Sequence, residues 1–466
     1  MKASFLRVDG SRPTRRQKVI GVLIIAIAPA LIYCQVWGFA RLAKDSGAYL
    51  TNARDMANFR LPSHPDRAPL ASIPAVLTGV TSEDSNASWL LLLQLLMHGA
   101  VVVIVVHIIL DLGLPPIAAI CAGTLLWLPP YVNHAGYILS EAQAELFLAF
   151  VFLGLHQFVK KHTTGWLWVA TAFSSLVALV RPTFQALPLL LLLVTIGLIA
   201  GLRLKLIWRP YSLKIAIAFL MPFLVFVIGW SATNYVRFNF FGMTPLFGYN
   251  LSTRTVGVIE RLPDSDAPIR EVLIKYRDRA LTGEHSSHTG LIYILKARRE
   301  LEALTGENTF ELSRHLTRLN LWLIVHAPLE YLRKVAEAGV TLGFPTAGPL
   351  SFGKSKLLQL IWSVLQLSVS FLFLAMPVLI SLNLAFSRPS CIPLDRIRRL
   401  RQVFFFAISI VFYNWLISCA FAAGEARFLV PTQFLSITAL TVVVWSGAQV
   451  WAVRSSEELA KPHRES

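Results

Sequence analysis

Residues Val19 to Ala40 read VIGVLIIAIAPALIYCQVWGFA, with no Asp, Glu, Lys, Arg or His among them. At a helical rise of about 1.5 Å per residue, such a run crosses a hydrocarbon core about 30 Å thick. Arg12, Arg15, Arg16 and Lys18 precede it. The run is longer than a signal-peptide core and carries no convincing small-x-small cleavage site, so it reads as a retained signal anchor.

The pattern recurs along the chain. Only helices satisfy the backbone in lipid without closing a barrel. The hydropathy places about ten of them, near 19–40, 88–111, 116–132, 140–158, 166–181, 183–201, 213–236, 357–386, 403–421 and 428–450. Composition agrees: of 466 residues, 55% are apolar and only 15% charged, and the mean hydropathy is +0.59. A soluble chain carries far more charge. The expected fold is therefore an all-α polytopic membrane protein. It divides into a transmembrane module 1–236 with a first outer loop 41–87, an outer helical region 237–356, and C-terminal spans with a short tail, 357–466.

The net charge of +17 invites a nucleic-acid reading, but the positive-inside rule explains it better. The basic residues gather in short connectors: Lys160 and Lys161; Arg203, Lys205, Arg209 and Lys214; Arg396, Arg398, Arg399 and Arg401. With the N-terminus inside, all of these face the cytoplasm. The four cysteines, Cys34, Cys121, Cys391 and Cys419, show no CxxC spacing, so neither a disulfide framework nor a zinc finger is indicated. No GxxxxGK[ST], GxGxxG, HExxH or GxSxG occurs, which leaves ATP hydrolysis and zinc proteolysis unsupported.

The same topology sends four polar clusters to the opposite face: Lys44-Asp45-Ser46, His134 to Glu141, Arg181-Pro182 and Gly424 to Arg427. Ionisable side chains beside lipid cost free energy and persist where they meet a cavity, a partner or a substrate. Asp45, just beyond the first span, is the candidate general base; the competing reading is an interfacial charge neutralised by Lys44 or Arg54. Tyr49 falls on its face at i+4. Glu141 opens the fourth span, where an acid also suits the helix dipole, and Glu145 lies one turn deeper. His134 reads as a turn residue, and Asp55 and Asp66 as solvated acids. Arg181 either snorkels to headgroups or grips a phosphate with its forked donors. Glu425 and Arg427 share a short turn, and Arg237 and Arg254 add donors after the seventh span. Carboxylates with several arginines suit transfer away from a phosphate leaving group. Segment 237–356 mixes charges of both signs and is too long for a connector. Trp322 to Gly339 has the spacing of a single interfacial helix.

The first span followed by DSGAYLTNAR (45–54), then YILSEAQAELF (137–147), LVRPTFQALPLLLL (179–192), NYVRFNFFGMTPLFGYN (234–250) and GEARFLVP (424–431) resemble, in order, the GT-C glycosyltransferases. More narrowly, they resemble the branch with the protein O-mannosyltransferases and the lipid A aminoarabinose transferase. The resemblance implies a polyprenyl-phosphate sugar as donor, a hydroxyl-bearing glycan, lipid or protein as acceptor, and the essential acid in the first outer loop, at Asp45. It implies that Arg181 and Arg427 lie near the lipid phosphate. Many relatives have a second acid directly after the first, whereas Ser46 follows Asp45 here, so metal-independent chemistry is expected and no cofactor is indicated. The remaining readings are a flippase for a lipid-linked sugar and a polysaccharide polymerase or ligase. The compact loops favour a bacterial inner membrane, with the site facing the periplasm.

Overall fold

The computed structural model describes residues 21, 23–201, 212–282, 289–343, 357, 360, 394–421 and 426–459. Among them the chain is all helix and loop, apart from an isolated parallel bridge between Arg41 and Tyr137. The elements used below are α1 (Ala28–Trp37), α2 (Ser46–Ala57), α3 (Ser88–Asp111), α4 (Pro116–Leu126), α5 (Glu141–Lys161), α6 (Thr164–Ala178), α7 (Leu187–Gly201), α8 (Ser212–Pro222), α9 (Gly229–Phe238), α10 (Leu246–Thr255), α11 (Ala267–Thr282), α12 (Thr289–Thr305), α13 (Thr309–His326), α14 (Pro328–Gly343), α15 (Leu394–Phe421) and α16 (Gln433–Leu459).

Five helical stretches are long and apolar enough to cross a bilayer: Ser88–Asp111, Glu141–Lys161, Leu213–Phe238, Arg399–Phe421 and Phe428–Trp445. Four shorter apolar helices, Ile24–Trp37, Pro116–Leu126, Thr164–Ala178 and Pro182–Gly197, stand where further full spans were expected. Proline sets some of these limits. It cannot donate an amide hydrogen bond and disfavours helix in the residue before it, and Pro115, Pro116, Pro129 and Pro130 bracket the short α4. The expected span near 357–386 lies outside the described residues apart from Leu357 and Leu360. The protein is an all-α polytopic membrane protein. Leu213–Phe238 is continuous but not uniform: after Pro222 the chain widens into a π turn, Phe223–Ile228, before α9, the usual accommodation when a proline removes a ladder bond.

The main core unites α1, α3 to α7, α15 and α16, with Leu91, Leu95, Ile108, Phe152, Phe406 and Phe434 fully enclosed. Close approach of α5 and α6 depends on Gly154, where an added Cβ would stand 2.8 Å from the Ala170 amide and 2.9 Å from the Trp166 carbonyl. Small residues serve this purpose between membrane helices.

A second core gathers Tyr249, Tyr293, Ile294, Leu301, Leu312 and Leu316 from α10, α12 and α13. Helix α13 begins with a reciprocal cap: Asn308 accepts from the amides of Phe310 and Glu311, and Glu311 accepts from that of Asn308, which satisfies orphan donors at the helix start. The single helix expected over Trp322–Gly339 is two. Ala327 leaves helical geometry at φ −140° and ψ 54°, because Pro328 follows it and opens α14.

Candidate active site

Three of the four polar clusters meet at one end of the helices. After α1 the chain turns at Gly38, whose φ of +76° suits glycine. It then runs beside the turn that precedes α5. The Arg41 amide donates to Gly136 O at 2.9 Å, and the Ile138 amide donates back to Arg41 O at 2.9 Å. Ser46 Oγ donates to Ile138 O at 2.9 Å, and Gln94 of α3 reaches the Tyr137 carbonyl at 3.0 Å. The polar backbone of turn 133–140 is thus absorbed by the loop bearing Asp45, which fixes that loop against the start of α5.

Asp45 occupies the position before α2 without a side-chain capping hydrogen bond, and its Oδ1 pairs with Arg67 Nη2 at 2.9 Å. Its side chain is 19% exposed and that of Arg67 21%, so both reach solvent. The partner is neither Lys44 nor Arg54 but a residue of the loop beyond α2. Arg67 also lies over the Tyr49 ring, 5.1 Å from its centroid, so Asp45 and Tyr49 share one guanidinium, consistent with their common face. Tyr49 Oη and Ser140 Oγ are 3.3 Å apart and share a hydrogen bond.

Next to Ser140, Glu141 Oε1 stands 2.9 Å from Arg181 Nη1, and both side chains are buried. Arg181 further covers the Phe428 ring at 5.2 Å. Contacts thus join Asp45, Arg67, Tyr49 and Ser140, and, from the next residue along the chain, Glu141, Arg181 and Phe428. The turn of Arg427 adjoins Phe428; it belongs to a short 3-10 helix, Ala426–Thr432. Glu425 lies outside the described residues, and the Arg427 side chain is likewise not described.

The loop 58–69 is the frame of this site. His64 and Asn52 exchange hydrogen bonds through backbone and amide, at 2.8 and 3.3 Å. Asp55 accepts from the Ser63 amide at 2.8 Å. Arg237 donates to Pro62 O at 3.0 Å. Asp66, read from sequence as solvated, instead pairs with Arg298 of α12 at 3.1 Å, and Arg298 covers the Tyr249 ring at 5.4 Å. Burial pulls Arg298 down, but Asp66 and Glu302 outweigh it and hold its pKa above the usual arginine value. Burial also pushes the His64 imidazole below its ordinary value; Arg67 and Arg298 add to this and Asp66 opposes it.

Two expected residues stand apart. Arg237 lines an open cleft of about 760 Å³ with Pro65, Asn239, Asn308 and Phe310, a cleft that Asp45 and Arg181 do not line. Arg254 is buried between helices and donates to Ser418 O of α15 at 3.3 Å; burial lowers its pKa. It sits at a helix junction rather than beside Asp45.

Sequence reading missed Arg67, which follows Asp45 by a loop without periodicity. Its one signal is the density of prolines around it, Pro62, Pro65 and Pro69, which stiffens a charged loop. His134 was read as a turn residue only. It occupies a 3-10 turn, but its Nε2 also reaches Glu145 at 3.1 Å.

No family model matches the sequence, and no curated protein matches it. Among solved structures, two of ArnT from Cupriavidus metallidurans are similar. The undecaprenyl phosphate-bound form is 15% identical, with 94% of this chain and 79% of that one covered and a TM-score of 0.38. The apo form is 15% identical, with 93% and 78% covered and a TM-score of 0.37. At these values the likeness adds nothing to the reading of the site, which rests on the contacts above.

Proposed function

We propose that this protein is a membrane glycosyltransferase that moves a sugar from a polyprenyl-phosphate donor to a hydroxyl acceptor at the face where Asp45 lies. The observation that carries the proposal is the convergence of Asp45, Arg67, Tyr49, Ser140, Glu141 and Arg181, from segments far apart in sequence, at one end of the membrane helices. The order of motifs that resembles GT-C enzymes supports it.

In this reading Asp45 takes the proton of the acceptor hydroxyl. The hydroxyl oxygen forms a bond to the anomeric carbon as the bond from that carbon to the prenyl phosphate breaks, and the phosphate leaves with the electron pair. One displacement inverts the anomeric carbon. Arg67 orients the Asp45 carboxylate through their ion pair at 2.9 Å. Developing negative charge on the leaving phosphate calls for cationic donors. Arg67 is the guanidinium nearest the proposed base, although a phosphate would compete with Asp45 for it, as it would with Glu141 for Arg181; Arg427 is proposed for the same role from its position in the sequence. The open cleft lined by Arg237, Asn308 and Phe310 is the proposed place for acceptor selection.

The test is transfer of labelled sugar from a synthetic polyprenyl-phosphate donor by detergent-purified protein. Loss of a general base costs about 10²–10⁴-fold, so Asp45→Asn protein is expected to keep its melting temperature and lose turnover by that factor. Wild-type turnover in Asp45→Asn protein removes Asp45 from the mechanism.

A further inference from the structure

One turn deeper than Glu141 lies a second constellation that the transfer reaction does not use. Glu145 of α5 is fully enclosed, and two imidazoles converge on one of its oxygens. His98 Nδ1, from α3, is 2.8 Å from Glu145 Oε2, and His134 Nε2, from the turn before α5, is 3.1 Å from the same atom. The three ligand atoms lie within 4.8 Å of one another, and all three residues are buried.

We propose that His98, His134 and Glu145 form a binding site for a divalent transition metal of the zinc class. Three arguments support this. The donor set is two imidazole nitrogens and one carboxylate oxygen, which suits zinc and its neighbours and not magnesium or calcium, which prefer all-oxygen shells. The tautomer of His98 is fixed from outside: its Nε2–H donates to the Leu126 carbonyl at 3.0 Å. A carbonyl can only accept, so Nδ1 is the nitrogen left to coordinate, and a backbone acceptor behind a ligating histidine is the common supporting arrangement. Finally, the three donor atoms come from separate segments of the chain yet lie within 4.8 Å of one another, close enough to share one ion.

Binding requires each ligating atom to offer a lone pair, so any proton on His98 Nδ1 or His134 Nε2 leaves to solvent as the ion enters. A tetrahedral ion takes its fourth ligand from water or from the second oxygen of Glu145. The Trp127 indole stands edge-on to His98, with centroids 5.0 Å apart. Its Nε1–H is anchored on Ile25 O at 2.6 Å, so the surroundings are stiff.

The role is structural. The ion would tie α3, the turn 133–136 and α5 together directly below Ser140 and Glu141, and so brace the floor of the candidate active site. This inference does not depend on the glycosyltransferase reading, because its test is metal binding.

Full-length protein, carrying no polyhistidine tag, is stripped with chelator in detergent and titrated with Co²⁺ and Zn²⁺. The wild type is expected to bind one ion per chain and to show the visible absorption of tetrahedral Co²⁺, with zinc displacing it and raising the melting temperature. His134→Ala, and separately the milder Glu145→Gln, are expected to weaken binding at least tenfold and to abolish the band. Wild-type protein that shows no such band and takes up no stoichiometric zinc overturns the proposal, whatever the variants do. An unchanged band in folded His134→Ala protein overturns it equally and places the ion on other histidines.

Discussion

Arg67 shows what a linear reading of single residues leaves out. Asp45 was legible because an acid beside an apolar span needs a reason; its partner was not, because an ion pair across a loop leaves no periodic trace. The same holds for Asp66 and Arg298, which tie the first loop to α12. The buried Glu141–Arg181 pair yields a stability test. Each side chain is under one-tenth exposed, and removing one partner of such a pair leaves an uncompensated charge at a cost of about 3–5 kcal/mol. Arg181→Met and Glu141→Gln are therefore expected to lower the melting temperature strongly as single changes, and the double variant less than their sum, as a double-mutant cycle by thermal unfolding would show. His64 gives a pH test. Its imidazole is pushed below the ordinary value by burial, so the unfolded loop binds more protons than the folded one as pH falls below about 6.5. The contribution to stability is complete above that pH and is lost as pH falls through the window beneath it. Hydrogen-exchange protection factors across residues 58–69, corrected for the pH dependence of intrinsic exchange, are expected to fall from pH 7.5 to 5.5, and the change is expected to vanish in His64→Gln.

At the level of elements, the long spans were readable because twenty apolar residues have few other fates in water. The ends were less so. Proline moved several of them, turning an expected interfacial helix into α13 and α14 at Ala327-Pro328 and inserting a π turn after Pro222. Glycine contacts are invisible to hydropathy because they depend on the opposing backbone. A Cβ at Gly248 of α10 would lie 2.1 Å from the Ser313 carbonyl of α13. Gly248→Ala must therefore part the two helices, and overpacking of this kind costs about 1–3 kcal/mol. Limited proteolysis is expected to cut more readily within α10 to α14 in Gly248→Ala while leaving the membrane spans protected. Gly154→Val is expected to act the other way, separating α5 from α6 and lowering the melting temperature of the whole protein.

Across the whole molecule, composition and the spacing of apolar runs were enough for the fold class. The meeting of three polar clusters at one end was legible as a topology argument, since an even number of crossings returns the chain to the same face. The precise partners needed coordinates: Glu145 announced itself by depth, but His98 lies in an apolar run and nothing in sequence joins it to the turn at His134. In the proposed reaction a sugar–phosphate bond breaks at this face. The direct measurement reconstitutes the protein in liposomes containing a polyprenyl-phosphate sugar labelled in both sugar and lipid, beside the Asp45→Asn variant. Free prenyl phosphate and inverted sugar product are expected to accumulate with the wild type and not with the variant. Intact carrier that crosses the bilayer without cleavage, or equal cleavage by both proteins, would contradict the proposed reaction.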